Sequence, residues 1–315
     1  MASEPILAPF DLRVAKRGRF WDSKIGFDYF ALTKPEVNCL IVVTTFAGFY
    51  LGASAWQDFP FLRCINAVLG TLMVASGTGA LNQYIERHFD AQMRRTARRP
   101  LAAGRLKPAA VLWFGIALSV LGTVYLAAAV NLLASLLALG TMLSYLFFYT
   151  PLKRKSPLCT LVGAFSGAMP PLIGWAAASG RLSFGAWIIY SLLFLWQFPH
   201  FMSIGWMYRE DYVRAGYLVL PHDERAREGI VNWQTLLLLV LLAPVSLLLA
   251  FTSKSGAAYC VGAVLLCASF LYCGARFALR KSNSSARQLL AASIIYLPPL
   301  FVLMILLSQG SGGLY

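Results

Sequence analysis

The sequence predicts an all-α polytopic bundle that crosses a lipid bilayer nine times, and three observations carry that prediction. Of the 315 residues, 58% are hydrophobic and only 13% charged, about half the charged share of an ordinary soluble domain. The apolar residues fall in long, unbroken runs, and about 20 such residues in a helix cross the hydrocarbon core. Alternate connections hold 24 of the 27 Lys and Arg, the others only Arg63, Arg181 and Lys254, the pattern of inner and outer loops. The runs are too long to alternate with period two, so a transmembrane barrel is excluded, and open sheets cannot cross lipid.

In order, the runs place spans at 37–55, 65–84, 109–129, 131–150, 158–178, 184–207, 233–252, 257–274 and 287–307. The division that follows is an N-terminal segment 1–36 on the cytoplasmic side, a nine-helix domain 37–307, and a short tail 308–315 on the outer side. The first 36 residues lack a 7–15-residue apolar stretch followed by a small-residue cleavage site, and Asp11, Asp22 and Asp28 do not suit an acid-poor transit peptide. The expected location is a bacterial plasma membrane, the inner membrane. The net charge of +14 reports topology here, and no nucleic-acid partner is expected.

Pro170, Pro171, Pro199, Pro244, Pro298 and Pro299 lie within spans and free carbonyls that need protein or water partners, which predicts kinked, partly interior helices. Ser76, Gly77, Gly79 and Ala80 predict a close helix approach. The six cysteines show no CxxC spacing and read as small buried hydrophobes. The two long, charged inner connections, 85–108 and 208–232, each follow an even-numbered span, which hints at a pseudo-repeat.

The polar constellation starts where the second span ends. Asn82, Glu86 and Asp90 stand at i, i+4 and i+8, which lines their oxygens along one helix face with about 6 Å of rise between neighbours and about 12 Å between the outer two. Neighbouring oxygens can share a hard cation, and the row suits a metal-bridged elongated anion such as a diphosphate. Mg²⁺ fits because it takes one or two carboxylates and leaves its other positions to water and phosphate. Arg94, Arg95, Arg98 and Arg99 follow; they can supply bidentate donors to the anion, or form an ordinary positive-inside cluster. Tyr149 and Lys153 are four apart, so a phenol and an ammonium point the same way if the helix persists through Pro151; an aromatic belt and a topology lysine explain the pair equally well. His200 is an ionisable group within a span, open to a functional role or to a neutral histidine bonded to a proline-freed carbonyl. His88 falls outside the carboxylate row and His222 in a solvated loop.

LTKPEVN at 32–38, NQYIERHFDAQMRRTARRPL at 82–101, YTPLKRKSP at 149–157 and WQFPHFMSIGWMYREDYVRAGYLVLP at 196–221 together resemble the UbiA superfamily of intramembrane prenyltransferases, and within it the protoheme IX farnesyltransferases, or heme O synthases. The resemblance spans residues 30 to about 305. It implies the UbiA-type nine-helix fold and an enzyme that joins farnesyl diphosphate to the 2-vinyl group of heme B, adding water to form heme O. By the same resemblance Asn82, Glu86 and Asp90 match the first acidic motif, which holds Mg²⁺ and diphosphate, with Glu in place of the middle Asp. Tyr149 and Lys153 match the Tyr-x3-Lys motif near the allylic cation and the leaving group, and Lys34, with Asn38, falls where relatives carry a diphosphate-facing base. Arg94 and Arg98 are expected on the diphosphate and His200 on the heme. A second acidic motif of the relatives is altered: Tyr208 and Tyr212 stand at its ends, with Arg209, Glu210 and Asp211 between them. The resemblance also implies a downstream heme A synthase or terminal oxidase assembly as partner. An aromatic or quinone-precursor acceptor is the alternative within the superfamily, and a transporter or membrane assembly protein the alternative outside it.

Overall fold

The computed structural model describes residues 23–53, 59–252 and 256–308, and all regular structure among them is helical. The expected N-terminal segment up to residue 22, Lys254 and the tail from residue 309 lie outside the described residues. The order is α1 (Ser23–Leu32), α2 (Pro35–Gly52), α3 (Phe61–Asp90), α4 (Pro108–Ala129), α5 (Leu132–Leu143), a π-helical segment Ser144–Tyr149 and α6 (Thr150–Leu152). There follow α7 (Cys159–Gly167), α8 (Met169–Ser179), α9 (Phe184–Met207), α10 (Arg209–Arg214), α11 (Glu224–Asn232), a second π segment Trp233–Leu237, α12 (Leu238–Thr252), α13 (Gly256–Arg280) and α14 (Asn283–Ser308). Among the described residues nine helical stretches are long and apolar enough to cross a membrane, at the nine places the apolar runs indicate.

The helices overrun those runs at their charged ends. The second span, expected to stop at 84, continues as α3 to Asp90, because intrahelical hydrogen bonds do not require apolar side chains. Span five is split: α7 stops at Gly167 and α8 begins at Met169, which puts Pro170 and Pro171 in a first turn, where a missing N–H costs no helical bond. Pro199, Pro244, Pro298 and Pro299 sit inside continuous helices instead.

Packing follows residue size. Gly77 on α3 faces α4 so closely that a Cβ there would come 2.7 Å from the Gly115 carbonyl oxygen, the close approach that the small residues of this span predict. Gly48 on α2 meets the Pro171 backbone of α8 more closely still. Helix α9 runs through the core, with Ile189, Leu192 and Met202 fully buried, while Trp113, Val124, Leu265 and Leu279 face outward, as a lipid-exposed surface requires. Of the cysteines, Cys64 and Cys159 are buried as expected, whereas Cys39 is exposed on α2.

The two long connections meet. Met93 from 91–107 packs with Ala215 and Tyr217 from the segment after α10, flanked by Phe89, Tyr212 and Val219. The Arg95 backbone N–H donates to Asp211 at 3.4 Å, and the Leu218 N–H donates to the Lys153 carbonyl at 2.7 Å. Together they form a cover over the end of α3.

Candidate functional site

Three oxygen-bearing side chains line the last two turns of α3, and all three are buried: Asn82, Glu86 and Asp90. A charge in such a place persists only with a partner, and each of the three has a cation from elsewhere in the chain. Lys34 Nζ donates to Asn82 Oδ1 at 2.6 Å, Lys153 Nζ to Glu86 Oε1 at 2.8 Å, and Arg99 Nη1 to Asp90 Oδ2 at 2.7 Å. Lys153 and Arg99 thus balance the two carboxylates, and Lys34 beside the uncharged Asn82 adds a third basic group.

Local structure delivers each cation. Lys34 takes a left-handed conformation (φ 55°) directly before Pro35, where proline disfavours right-handed helix for its predecessor. Gln83 Nε2 holds this junction by donating to the Leu32 carbonyl at 3.1 Å, and Asn38 Nδ2 donates to Thr33 O at 2.8 Å and Ser76 Oγ at 2.9 Å. Asn38 therefore braces α2 against α3 and does not itself reach the row. Burial, with the Arg99 and Lys153 charges, pulls the Lys34 ammonium down to about 7 against the opposing pull of Glu86 and Asp90.

Lys153 depends on the helix running past Pro151, and it does: the Lys153 N–H donates to the Tyr149 carbonyl at 3.2 Å. Thr150 Oγ1 caps the Tyr145 carbonyl at 2.9 Å in the π segment and receives Asn82 Nδ2 at 3.2 Å. The ammonium lies 4.5 Å from the centre of the Tyr149 ring, and that ring packs on Tyr145 at 4.9 Å. Burial alone would lower the Lys153 pKa, but Glu86, then Tyr149 and Tyr145, outweigh it and hold the group well above the ordinary lysine value.

The arginines sort differently from the sequence expectation. Arg94 and Arg98 are exposed, and Arg99 makes the carboxylate contact: turns at 91–99, pinned by Thr96 Oγ1 on the Asp90 carbonyl at 2.8 Å, carry position 99 back over the helix end. Spacing along an extrapolated helix could not reveal this reversal. Of the altered second motif, Asp211 is buried and held by Arg95 N–H and by Arg214 at 3.0 Å, so it fastens the cover. Arg209 bonds Trp206 O and Asn283, and Glu210 is exposed. His200 lies on α9, apart from the row, stacked on Trp196 with centroids 5.1 Å apart. His88 and His222 are exposed, as expected.

Tyr217 lies in the 196–221 stretch that carries the family resemblance but is given no role there. Among the described residues its buried hydroxyl meets no partner in hydrogen-bond geometry, and burial, together with the Glu86 and Asp90 charges, pushes the phenol up. Asp90 Oδ1 is likewise buried and unpartnered. Among the described residues no three His, Cys, Asp or Glu side chains cluster as a metal cage. An amide, two carboxylates and an unclaimed carboxylate oxygen nevertheless fit a hard ion that takes few protein ligands, such as Mg²⁺. Basic groups ring that oxygen set as a chelated polyanion requires.

The sequence profile of the UbiA prenyltransferase family matches residues 41–305. The chain is 47% identical over 286 residues to a protoheme IX farnesyltransferase of Solibacter usitatus, covering 89% of this chain and 98% of the relative. It is 43% identical over 288 residues to one of Koribacter versatilis, covering 89% and 92%. Among solved structures, one described as digeranylgeranylglyceryl phosphate synthase superposes with a TM-score of 0.74 at 16% identity, over 91% of this chain and 99% of that one. A UbiA homolog from Archaeoglobus fulgidus bound to GPP and Mg²⁺ gives 0.62 at 14% identity, over 88% and 99%. At such identities the structural likeness speaks for the fold.

Proposed function

The chain belongs to the UbiA prenyltransferase family, and from that premise we propose that it transfers farnesyl from farnesyl diphosphate to the 2-vinyl group of heme B, with addition of water, to give heme O. The observation that carries the proposal is the row of three buried α3 side chains, each facing a cation brought from a different segment. A polyanion beside these basic groups would hold Lys34 in its protonated form, and the row's length suits a diphosphate. The names of the relatives at 43–47% identity supply the acceptor.

In this reading Asn82, Glu86 and Asp90 hold Mg²⁺, which when bound supplies charge neutralisation to the leaving diphosphate. Lys153, Lys34 and Arg99 contribute the remaining positive charge as the C–O bond of the farnesyl diphosphate breaks. The faces of Tyr149 and Tyr145 stand beside Lys153 and stabilise the allylic cation, while the cover of Met93, Ala215 and Tyr217 keeps bulk water out. The terminal carbon of the heme vinyl group attacks farnesyl C1. The resulting cation next to the porphyrin takes up a water molecule, which loses a proton to leave the hydroxyl. His200 contacts the heme. The reaction takes place in a bacterial inner membrane with the diphosphate site on the cytoplasmic side and the C-terminus outside, and its product passes to a downstream heme A synthase or terminal oxidase assembly.

The test is mass spectrometry of hemes after incubation of the detergent-purified protein with heme B, farnesyl diphosphate and Mg²⁺, with and without EDTA. The expected product is heavier than heme B by a farnesyl group plus a hydroxyl, the added water having lost a proton, and is absent with EDTA. If an aromatic acid or quinone precursor is prenylated instead, the acceptor is wrong and the diphosphate half stands. Folded protein that prenylates nothing would return the chain to a transport or assembly role.

A further inference from the structure

We infer that Ser293 is a positioning residue: it fixes the tautomer of His200, so that the imidazole offers an unprotonated Nε2 as axial ligand to the iron of a metalloporphyrin. This inference rests on the heme reading above.

The argument begins with a count of protons. His200 Nδ1 and Ser293 Oγ are 2.8 Å apart, and the same Oγ lies 2.6 Å from the Leu290 carbonyl oxygen. A carbonyl can only accept, and a serine hydroxyl has one proton. Were that proton given to Nδ1, two acceptor oxygens would face each other at 2.6 Å with no hydrogen between them. The proton therefore goes to Leu290, Ser293 Oγ accepts, and Nδ1 carries the imidazole hydrogen. In the neutral ring Nε2 is then the lone-pair nitrogen.

The surroundings keep the ring aligned. Trp196, one turn earlier on α9, stacks on it at an interplanar angle of 27°, and Phe201 meets it edge-on at 6.0 Å. Trp196 Nε1 donates to the Ser293 carbonyl at 2.8 Å, so one residue of α14 grips two side chains of α9. No carboxylate pairs with His200 among the described residues. Ser293 is fully buried, but His200 remains partly exposed, and among the described residues its ring is hydrogen-bonded through Nδ1, leaving Nε2 for a ligand. A metal-binding histidine commonly donates its other N–H to a fixed acceptor, which sets tautomer and ring orientation, and here that acceptor is present before any iron arrives.

The experiment titrates the detergent-purified full chain with hemin and follows the absorption spectrum in wild type, Ser293→Ala, Ser293→Thr, His200→Ala and His200→Gly with added imidazole. Loss of such an outer partner weakens metal affinity by roughly 10-fold or more, so Ser293→Ala should bind hemin about that much more weakly with a shifted spectrum. Ser293→Thr, whose hydroxyl can make the same helical back-bond, should restore the wild-type spectrum. His200→Ala should lose the imidazole signature, and imidazole should recover it in His200→Gly. Unchanged affinity for farnesyl diphosphate with Mg²⁺ in all four variants identifies folded protein. A Ser293→Ala spectrum and affinity equal to wild type would overturn the proposal, as would a wild-type-like spectrum in His200→Ala. If wild type converts heme B to product while showing no imidazole ligation, the proposal falls and the proposed reaction stands. If it neither binds hemin nor prenylates it, both fall.

Discussion

The inner end of α3 and the α9–α14 seam solve the same problem, polar groups held away from water, in opposite ways. At α3 the groups stay charged: Glu86 is paired at 2.8 Å with Lys153 from a distant segment, and Asp90 at 2.7 Å with Arg99 from the turns that follow the helix. At the seam Trp196 donates to the Ser293 carbonyl, and His200 is linked through Ser293 Oγ to the Leu290 carbonyl. The difference teaches where each chemistry belongs. Buried charges stand where each finds an opposite partner, at the end of α3, whereas the seam between helices is tied by hydrogen bonds in which no carboxylate takes part among the described residues; on the proposed reading the first suits a polyanion and the second a macrocycle.

Breaking the charged region is expected to have the larger effect. Glu86→Gln removes a carboxylate from the row and should lower kcat/KM for prenyl transfer by ~10³-fold or more, measured by product formation under saturating Mg²⁺; retention of full activity would sink the metal-row assignment. Lys153→Met leaves Glu86 buried and unpaired, a change that costs about 3–5 kcal/mol, and should appear both as a lower thermal midpoint in detergent and as lost turnover. Arg99→Ala is expected to slow transfer by ~10²-fold, whereas Arg98→Ala on the exposed side of the same turn should stay within about threefold; equal effects would erase the distinction drawn between them. At the seam His200→Ala should raise the KM for heme by roughly 10-fold and leave that for farnesyl diphosphate unchanged, so Glu86→Gln is the more damaging of the two. The smallest change expected is Asp211→Asn, which loosens the cover by about 1 kcal/mol and is read by proteolysis of the 208–220 segment.

Much of this was legible in residue order. The i, i+4, i+8 spacing of Asn82, Glu86 and Asp90 is a property of one helix, so helical geometry alone places the three on one face. The Tyr149–Lys153 pair is also local and needed only helix through Pro151, which the backbone provides. Arg99 was not separable from Arg94 and Arg98, because its place depends on turns after Asp90 that reverse the chain. Asp211 read as a possible ligand, and the structure adds what residue order did not show, its contacts with the Arg95 N–H and Arg214, which fasten the cover. Tyr217 left no signal, since nothing near it in sequence marks a loop tyrosine as buried against carboxylates.

By itself the sequence determined the all-helical membrane architecture, its nine spans and the side of the molecule that bears the charge, because lipid imposes these through hydropathy and loop composition residue by residue. It also determined the face that the carboxylates share, through the helical period. Only the tertiary structure decided which cation meets which oxygen, that two distant connections close over α3, and that a serine nearly a hundred residues away orients His200. Those choices are contacts between segments far apart in the chain, and no local spacing encodes a distance that folding alone creates.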